Sequence, residues 1–166
     1  MKYTISVLVE NHAGVLSKVS GLFSRRGFNI DSLAVGVTED PTISRMTIVA
    51  EGDEYVIEQI EKQLNKLIPV IKVKTLEPSE TIARTLSLIK VAAGNGKRAE
   101  VMRISELMGA KIVDVTKTTL TLEFSDTVER TETLENLLKP YGIKEIVRTG
   151  IIALEKGPNA TRPSKK

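Results

Sequence analysis

Cysteine is absent from the 166 residues, and histidine occurs once, as His12. Without cysteine there is no disulfide, no zinc–thiolate site and no thiol nucleophile. His12 has no partner signature for a metal or for nucleophile activation, and no carboxylate cluster suggests acid–base work. Aromatic residues number six, three Tyr and three Phe. The segment Arg45-Met46-Thr47-Ile48-Val49 contains none, which argues against a sheet that stacks RNA bases. No apolar run approaches the ~20 residues needed to span a bilayer. Met1-Lys2-Tyr3-Thr4 leads straight into a strand pattern, with no room for a signal peptide. The expectation is a soluble, cytoplasmic protein that is not an enzyme.

Excess charge is also lacking over most of the chain. The formal net charge is +3, but residues 156–166 hold Lys156, Arg162, Lys165 and Lys166 with no acid. Taking those four from the total of 24 cations leaves 20 against 21 acids over residues 1–155. A nucleic-acid binder spreads positive charge over a folded face. Here it is confined to a tail, so neither nucleic acid nor membrane is expected as a partner.

What is present is periodicity. Tyr3, Ile5, Val7 and Val9 alternate with polar residues as in a half-buried strand. Val15, Leu16, Val19, Leu22 and Phe23 recur at helical spacing, with Gly27 as the stop. Leu33, Val35 and Val37 alternate again, Asp40-Pro41 turns the chain, and Met46, Ile48 and Ala50 form a third strand. A helix carrying Val56, Ile57, Ile60, Leu64 and Leu67 ends at Pro69, and Val70–Leu76 is a fourth strand. The order β-α-β-β-α-β is the split ferredoxin-like arrangement.

The same order returns after Glu77-Pro78-Ser79-Glu80. A strand spans Thr81–Ala93, and Asn95-Gly96 feeds a helix closed by Gly109. Two strands, Ile112–Thr116 and Leu120–Phe124, follow. Asp126 with Glu129 reads as a capping-box-like helix start, Gly142 ends that helix, and Ile143–Leu154 reads as the last strand. Gly94-Asn95-Gly96-Lys97 lacks the spacing of a phosphate loop. The fold class is thus α+β, two tandem ferredoxin-like βαββαβ domains. The expected boundaries are 1–77, a linker at 78–80, 81–157, and a disordered basic tail at 158–166. Each half is near the size at which a lone domain is marginal, and a bare sheet edge invites pairing with a second copy.

The candidate site lies in Asn11-His12-Ala13-Gly14-Val15-Leu16 and in Asn29-Ile30. A glycine turn into a helix offers oriented N–H donors for a carboxylate, and an amide oxygen suits an ammonium. Together with apolar walls they make a place for a small amino acid. Each residue also has a plainer role. Asn11 fits a helix N-cap, and Gly14 fits a turn that needs positive φ. Asn29 fits a group that satisfies backbone at a strand entry, and His12 fits a solvated loop.

These residues carry a resemblance to a known family. Ser6–Asn11, Gly14–Val19, Gly21–Leu33 and Ser44–Ile48 resemble the regulatory (small) subunit of acetolactate synthase, also called acetohydroxyacid synthase. Weaker stretches at Ile57–Leu64, Gly109–Val115 and Arg148–Ile151 agree, so the likeness covers about residues 2–155. It implies an N-terminal ACT domain, the amino-acid-sensing module, followed by a ferredoxin-like domain. It also implies a homodimer through the ACT domains, with valine bound where the Asn11–Leu16 turn of one protomer meets Asn29-Ile30 of the other. That favours the ligand role for Asn29. The subunit would bind and activate a catalytic (large) subunit and confer feedback inhibition by valine, holding no cofactor itself. Thiamine diphosphate, Mg and FAD would belong to the catalytic subunit. His12-Ala13, where many ACT domains have Pro before the Gly, and Gly36, where relatives often have Ala, depart from the pattern and leave leucine and isoleucine open as effectors. Alternatives are a free-standing ACT sensor for another enzyme and an RRM-like RNA-binding protein.

Overall fold

Alternating apolar residues build the first sheet. In the computed structural model, which describes residues 1–163, strand β1 (Lys2–Glu10) buries Ile5, Val7 and Val9 on one side. Helix α1 (Val15–Arg26) lays Val15, Val19, Leu22 and Phe23 on that side. Strands β2 (Ile30–Val37) and β3 (Ile43–Glu51), helix α2 (Glu54–Leu64) and strand β4 (Val70–Leu76) follow. The strand order is β2-β3-β1-β4, with β1–β3, β1–β4 and β2–β3 antiparallel. Strands β2 and β4 are therefore the edges.

Helix ends follow local chemistry. Gly27 closes α1 in the left-handed region at φ 69°. Its N–H bonds Ser24 O, and the Phe28 N–H bonds Phe23 O at 3.0 Å, the Schellman pattern. The hydrophobic contact that accompanies such a close is Phe23 against Phe28, edge to face at 6.2 Å between centroids. Asp53 caps α2 by accepting from Val56 N–H at 2.9 Å.

The second sheet repeats the plan with strands β5 (Thr81–Ala92), β6 (Lys111–Val115), β7 (Thr119–Asp126) and β8 (Ile143–Arg148) and helices α3 (Arg98–Met108) and α4 (Val128–Leu138). Its order, β6-β7-β5-β8, matches the first sheet strand for strand. Ile89, Val91, Leu120, Leu122, Leu134 and Leu138 form its core. A ninth strand, β9 (Ile152–Glu155), pairs with β5. The two-domain α+β reading of the sequence therefore stands.

Several details differ from the sequence reading. Helix α4 is capped by Thr127, whose hydroxyl accepts from Arg130 N–H. Asp126 is one residue too early. It still ends β7, where its carboxylate accepts from Thr127 N–H and pairs with Arg130. The Thr127 N–H, first in that queue of donors, holds the Asp126 carboxyl below the usual aspartate range. Asn95 and Gly96 sit at φ 51° and 82°, a turn two residues ahead of α3. The last apolar run is two strands, because β8 closes at Thr149, which exchanges bonds with Leu86 through its N–H and its hydroxyl.

The compact units also divide the chain elsewhere. The first comprises Met1–Ala83 and the chain from Gly150 on; the second is Arg84–Thr149. The C-terminal segment, expected to be disordered from 158, is placed as far as residue 163, with Thr161 only 8% exposed. Residues 164–166 of that expected tail lie outside the described residues. No helix among the described residues is long and apolar enough to cross a membrane.

Candidate functional site

The turn from β1 into α1 takes its shape from one glycine. Gly14 holds the N-cap position at φ 88°, a left-handed conformation that costs other residues strain. No side chain caps the helix behind it. An α-helix leaves its first four N–H groups without intrahelical acceptors, and the dipole adds partial positive charge there. The surroundings are open: a Cβ built on Gly14 would meet nothing within 4 Å. Val15 is buried and belongs to the core, whereas Leu16 is half-exposed beside the turn. An uncapped helix start, an open glycine and a bare leucine side chain suit a small carboxylate with an apolar group.

Asn11 is not the helix cap. Its Nδ2 donates to Pro41 O at 2.8 Å, and its N–H donates to Thr42 O at 2.8 Å. These bonds tie the site turn to the β2–β3 connection, which has hydrogen bonds of its own. Asp40 Oδ1 accepts from both the N–H and the hydroxyl of Thr42, and the hydroxyl bond above all depresses the Asp40 carboxyl. Pro41 and Thr42 are the supporting residues that sequence reasoning missed. Asp40-Pro41 signalled a turn, but nothing in it named Asn11 as the neighbour.

His12 is solvated, as expected, yet it has partners. Nε2 lies 2.8 Å from Glu10 Oε2, and Nδ1 lies 3.1 Å from Ala13 O. Both ring nitrogens face oxygen acceptors, so only the doubly protonated imidazolium satisfies both. The Ala13 carbonyl first, then the Glu10 carboxylate, raise the His12 pKa above 6.5, while Lys18 opposes them. A raised folded-state value contributes stability that is fully present below the unfolded pKa and is lost as pH rises through the folded one. An NMR titration of the single imidazole should give a midpoint above 6.5, moving down in Glu10→Gln. An unchanged midpoint in the variant would show that the carboxylate contributes nothing.

Asn29 lies at the far end of α1. The helix has 12 residues, so about 18 Å of axis separates its two ends. The strands agree: Ile30 pairs with Ala50, which pairs with Tyr3, whereas Asn11 lies at Thr42. Within one chain the structure thus brings Asn11–Leu16 together with the 38–42 turn and leaves Asn29 and Ile30 apart. Asn29 Nδ2 makes a long 3.4 Å contact with Asp31, itself paired with Lys2 at 2.6 Å. Its Oδ1 has no partner among the described residues, so the side chain does not satisfy backbone at the strand entry. Ile30 packs partly into the core. Among the described residues no group of three or more His, Cys, Asp or Glu is placed to hold a metal ion.

Comparison with known proteins agrees with this architecture. Residues 5–72 match the family model described as the AHAS small subunit-like ACT domain, and residues 84–157 match that of the small subunit of acetolactate synthase. The acetolactate synthase small subunit of Mycolicibacterium smegmatis is 48% identical over 163 residues, 98% of this chain and 96% of that protein. The Mycobacterium leprae small subunit is 49% identical over 156 residues, 94% and 92% of the two chains. The crystal structure of the Thermotoga maritima small subunit superposes with a TM-score of 0.90 at 38% identity, covering 96% of this chain and 99% of that one. The helix-start turn at Gly14 falls inside the first matched segment, and the chain belongs to the acetolactate synthase small-subunit family.

Proposed function

We propose that this chain is the regulatory subunit of acetolactate synthase. It binds and activates a separate catalytic subunit and makes it sensitive to valine. The observation that carries the reading is the separation of the two halves of the candidate site. An open, uncapped helix start and an amide with a free oxygen stand at opposite ends of α1, so a single chain cannot close them on one ligand. Two copies can.

Strand β2 is an edge, with Val35 47% and Val37 59% exposed, the condition under which strands pair across molecules. Antiparallel pairing of β2 with its copy about a twofold axis also sets the two α1 helices antiparallel. That places Gly14 of one protomer beside Asn29 of the partner subunit. The effector carboxylate then meets the helix N–H groups, its ammonium meets the Asn29 amide oxygen, and its branched side chain lies near Leu16. Valine fits this description; leucine and isoleucine have the same two charges. The ligand favours the paired state by its difference in affinity for the two states, typically about 1–3 kcal/mol of coupling.

An RNA-binding reading of the βαββαβ plan needs an open, aromatic sheet face. On β1 and β3 the face away from the helices carries Ser6, Leu8, Thr47 and Val49, all buried and none aromatic. The test is to mix the full chain with a catalytic subunit and follow acetolactate formation with and without valine. Activation that valine reverses is the expected result. A catalytic subunit indifferent to this chain would end the proposal.

A further inference from the structure

The C-terminal return lies on the helix-free face of the first sheet, and its contacts are made largely through backbone. Strand pairing puts Ser32, Arg45 and Lys74 on that face, with Ser6, Leu8, Thr47 and Val49. Gly150 touches β2 so closely that a Cβ would stand 2.2 Å from Leu33 O and 2.9 Å from Ala34 N. The next residue, Ile151, donates its N–H to Ser32 Oγ at 2.8 Å. Further along, Ala153 is 7% exposed, Glu155 pairs with Lys74 at 2.6 Å, and Arg45 Nη2 donates to Thr161 O at 2.9 Å. Residues 150–161 are therefore a strap fastened first to β2, then to β4 and β3.

The fastening point adjoins the candidate effector site. Asn29 and Ile30 lead into β2, and the strap grips that strand at Ser32–Ala34. Between them the β2–β3 register shifts, from Ile30 opposite Ala50 to Ser32 opposite Val49. Such an irregularity bends the strand and re-aims the side chains next to it, so the setting of Asn29 and Ile30 bears directly on that of Ser32 and Leu33. The strap layer is also poorly satisfied. Ser6 Oγ, Arg45 Nε and Glu155 Oε2 are buried without a hydrogen-bond partner among the described residues. A layer with orphaned polar atoms opens more readily than a dry apolar core.

We infer that this strap is the element through which effector occupancy at Asn29-Ile30 is passed on to the rest of the regulatory subunit. The inference rests on the valine reading above. A ligand that seats Asn29 and Ile30 fixes the start of β2, and with it the Ser32 and Leu33 groups that hold Gly150 and Ile151. Occupancy and strap attachment are then coupled, and by linkage each favours the other.

The experiment is amide hydrogen exchange on the full chain with and without saturating valine, whose binding is followed separately by calorimetry. The Ile151 amide, held by a β2 side chain, should exchange at least ~5-fold more slowly with valine, the low end of ordinary allosteric coupling. Gly150→Ala puts a methyl group into the Leu33 carbonyl and should free the strap. That variant should bind valine at least ~5-fold more weakly than the parent, as linkage requires, and leave the complex with the catalytic subunit uninhibited even at saturating valine. Ser32→Ala removes only the Ile151 bond, and serves where the Gly150 variant does not fold; it should weaken the inhibition without ending it. Valine heat with no change at Ile151, or inhibition of the Gly150→Ala complex as in the parent, would overturn the strap role alone. Absence of valine heat in the parent would remove the effector reading and the strap role together.

Discussion

Gly14→Asp should abolish valine sensitivity while leaving the catalytic subunit activated. The substitution acts at the place where a ligand carboxylate meets the first turn of α1. The site has room, since a Cβ there meets nothing within 4 Å, so steric collapse is not the cause. Aspartate tolerates the left-handed region better than most residues, and the backbone cost at φ 88° is about 1 kcal/mol. An effector docking there would face a fixed anion in place of bare N–H groups. We expect calorimetry to lose the valine heat and the valine inhibition curve to go flat, with circular dichroism unchanged. A variant that binds valine like the parent would place the effector elsewhere.

Phe23→Ala is the second large effect, and it acts through packing. Phe23 is 1% exposed in the core of the first sheet and meets Phe28 edge to face. Truncating a buried phenylalanine costs about 3–5 kcal/mol, against a whole-domain stability of roughly 5–15 kcal/mol. For a unit of this size that corresponds to a fall in melting temperature of roughly 15 °C or more. Loss of the ring also removes the hydrophobic half of the helix close that aims the chain toward Asn29. Calorimetry on the full chain should therefore show the unit holding α1 melting earlier, with valine affinity weakened even below the new transition. A melting profile within a few degrees of the parent would mean that the core refills the cavity.

The sequence showed the elements well where the pattern was one of periodicity. Ile5, Val7 and Val9 alternate, Val15, Val19, Leu22 and Phe23 follow a helical stripe, and both became core, while Leu16 of that stripe stayed half-exposed. Gly27 and Gly109 predicted helix closes that the structure has, each with a left-handed cap. Misreadings arose where two neighbouring residues compete for one role. Asp126 and Thr127 are both good caps, and only the backbone geometry chooses Thr127. The run Ile143–Leu154 has apolar residues on both sides of Thr149 and Gly150, so its division there was easily read as continuous strand. Gly150 in a strand pattern was the available signal, because an isolated glycine there marks close backbone approach.

The candidate site was half legible. The Gly14 turn is local chemistry, read from adjacent residues. Its prop at Pro41-Thr42 is a contact between segments 30 residues apart, which no local pattern encodes. Glu10 and His12 are only two residues apart, but their pairing depends on how the chain leaves β1. The distance between Asn11 and Asn29 was concealed for a simpler reason. The two motifs flank one helix in the sequence, and that 12-residue helix holds them at its opposite ends.

The division of the first unit into Met1–Ala83 and a segment beginning at Gly150 bears on how the protein is made. A ribosome adding roughly 5–20 residues per second needs about 3–13 s to translate Arg84–Thr149. Through that interval the nascent N-terminal sheet has emerged without the residues that later shelter Leu8, Thr47 and Val49. Newborn chains crowded on one message expose that surface to one another, and early termination anywhere before Gly150 makes the exposure permanent.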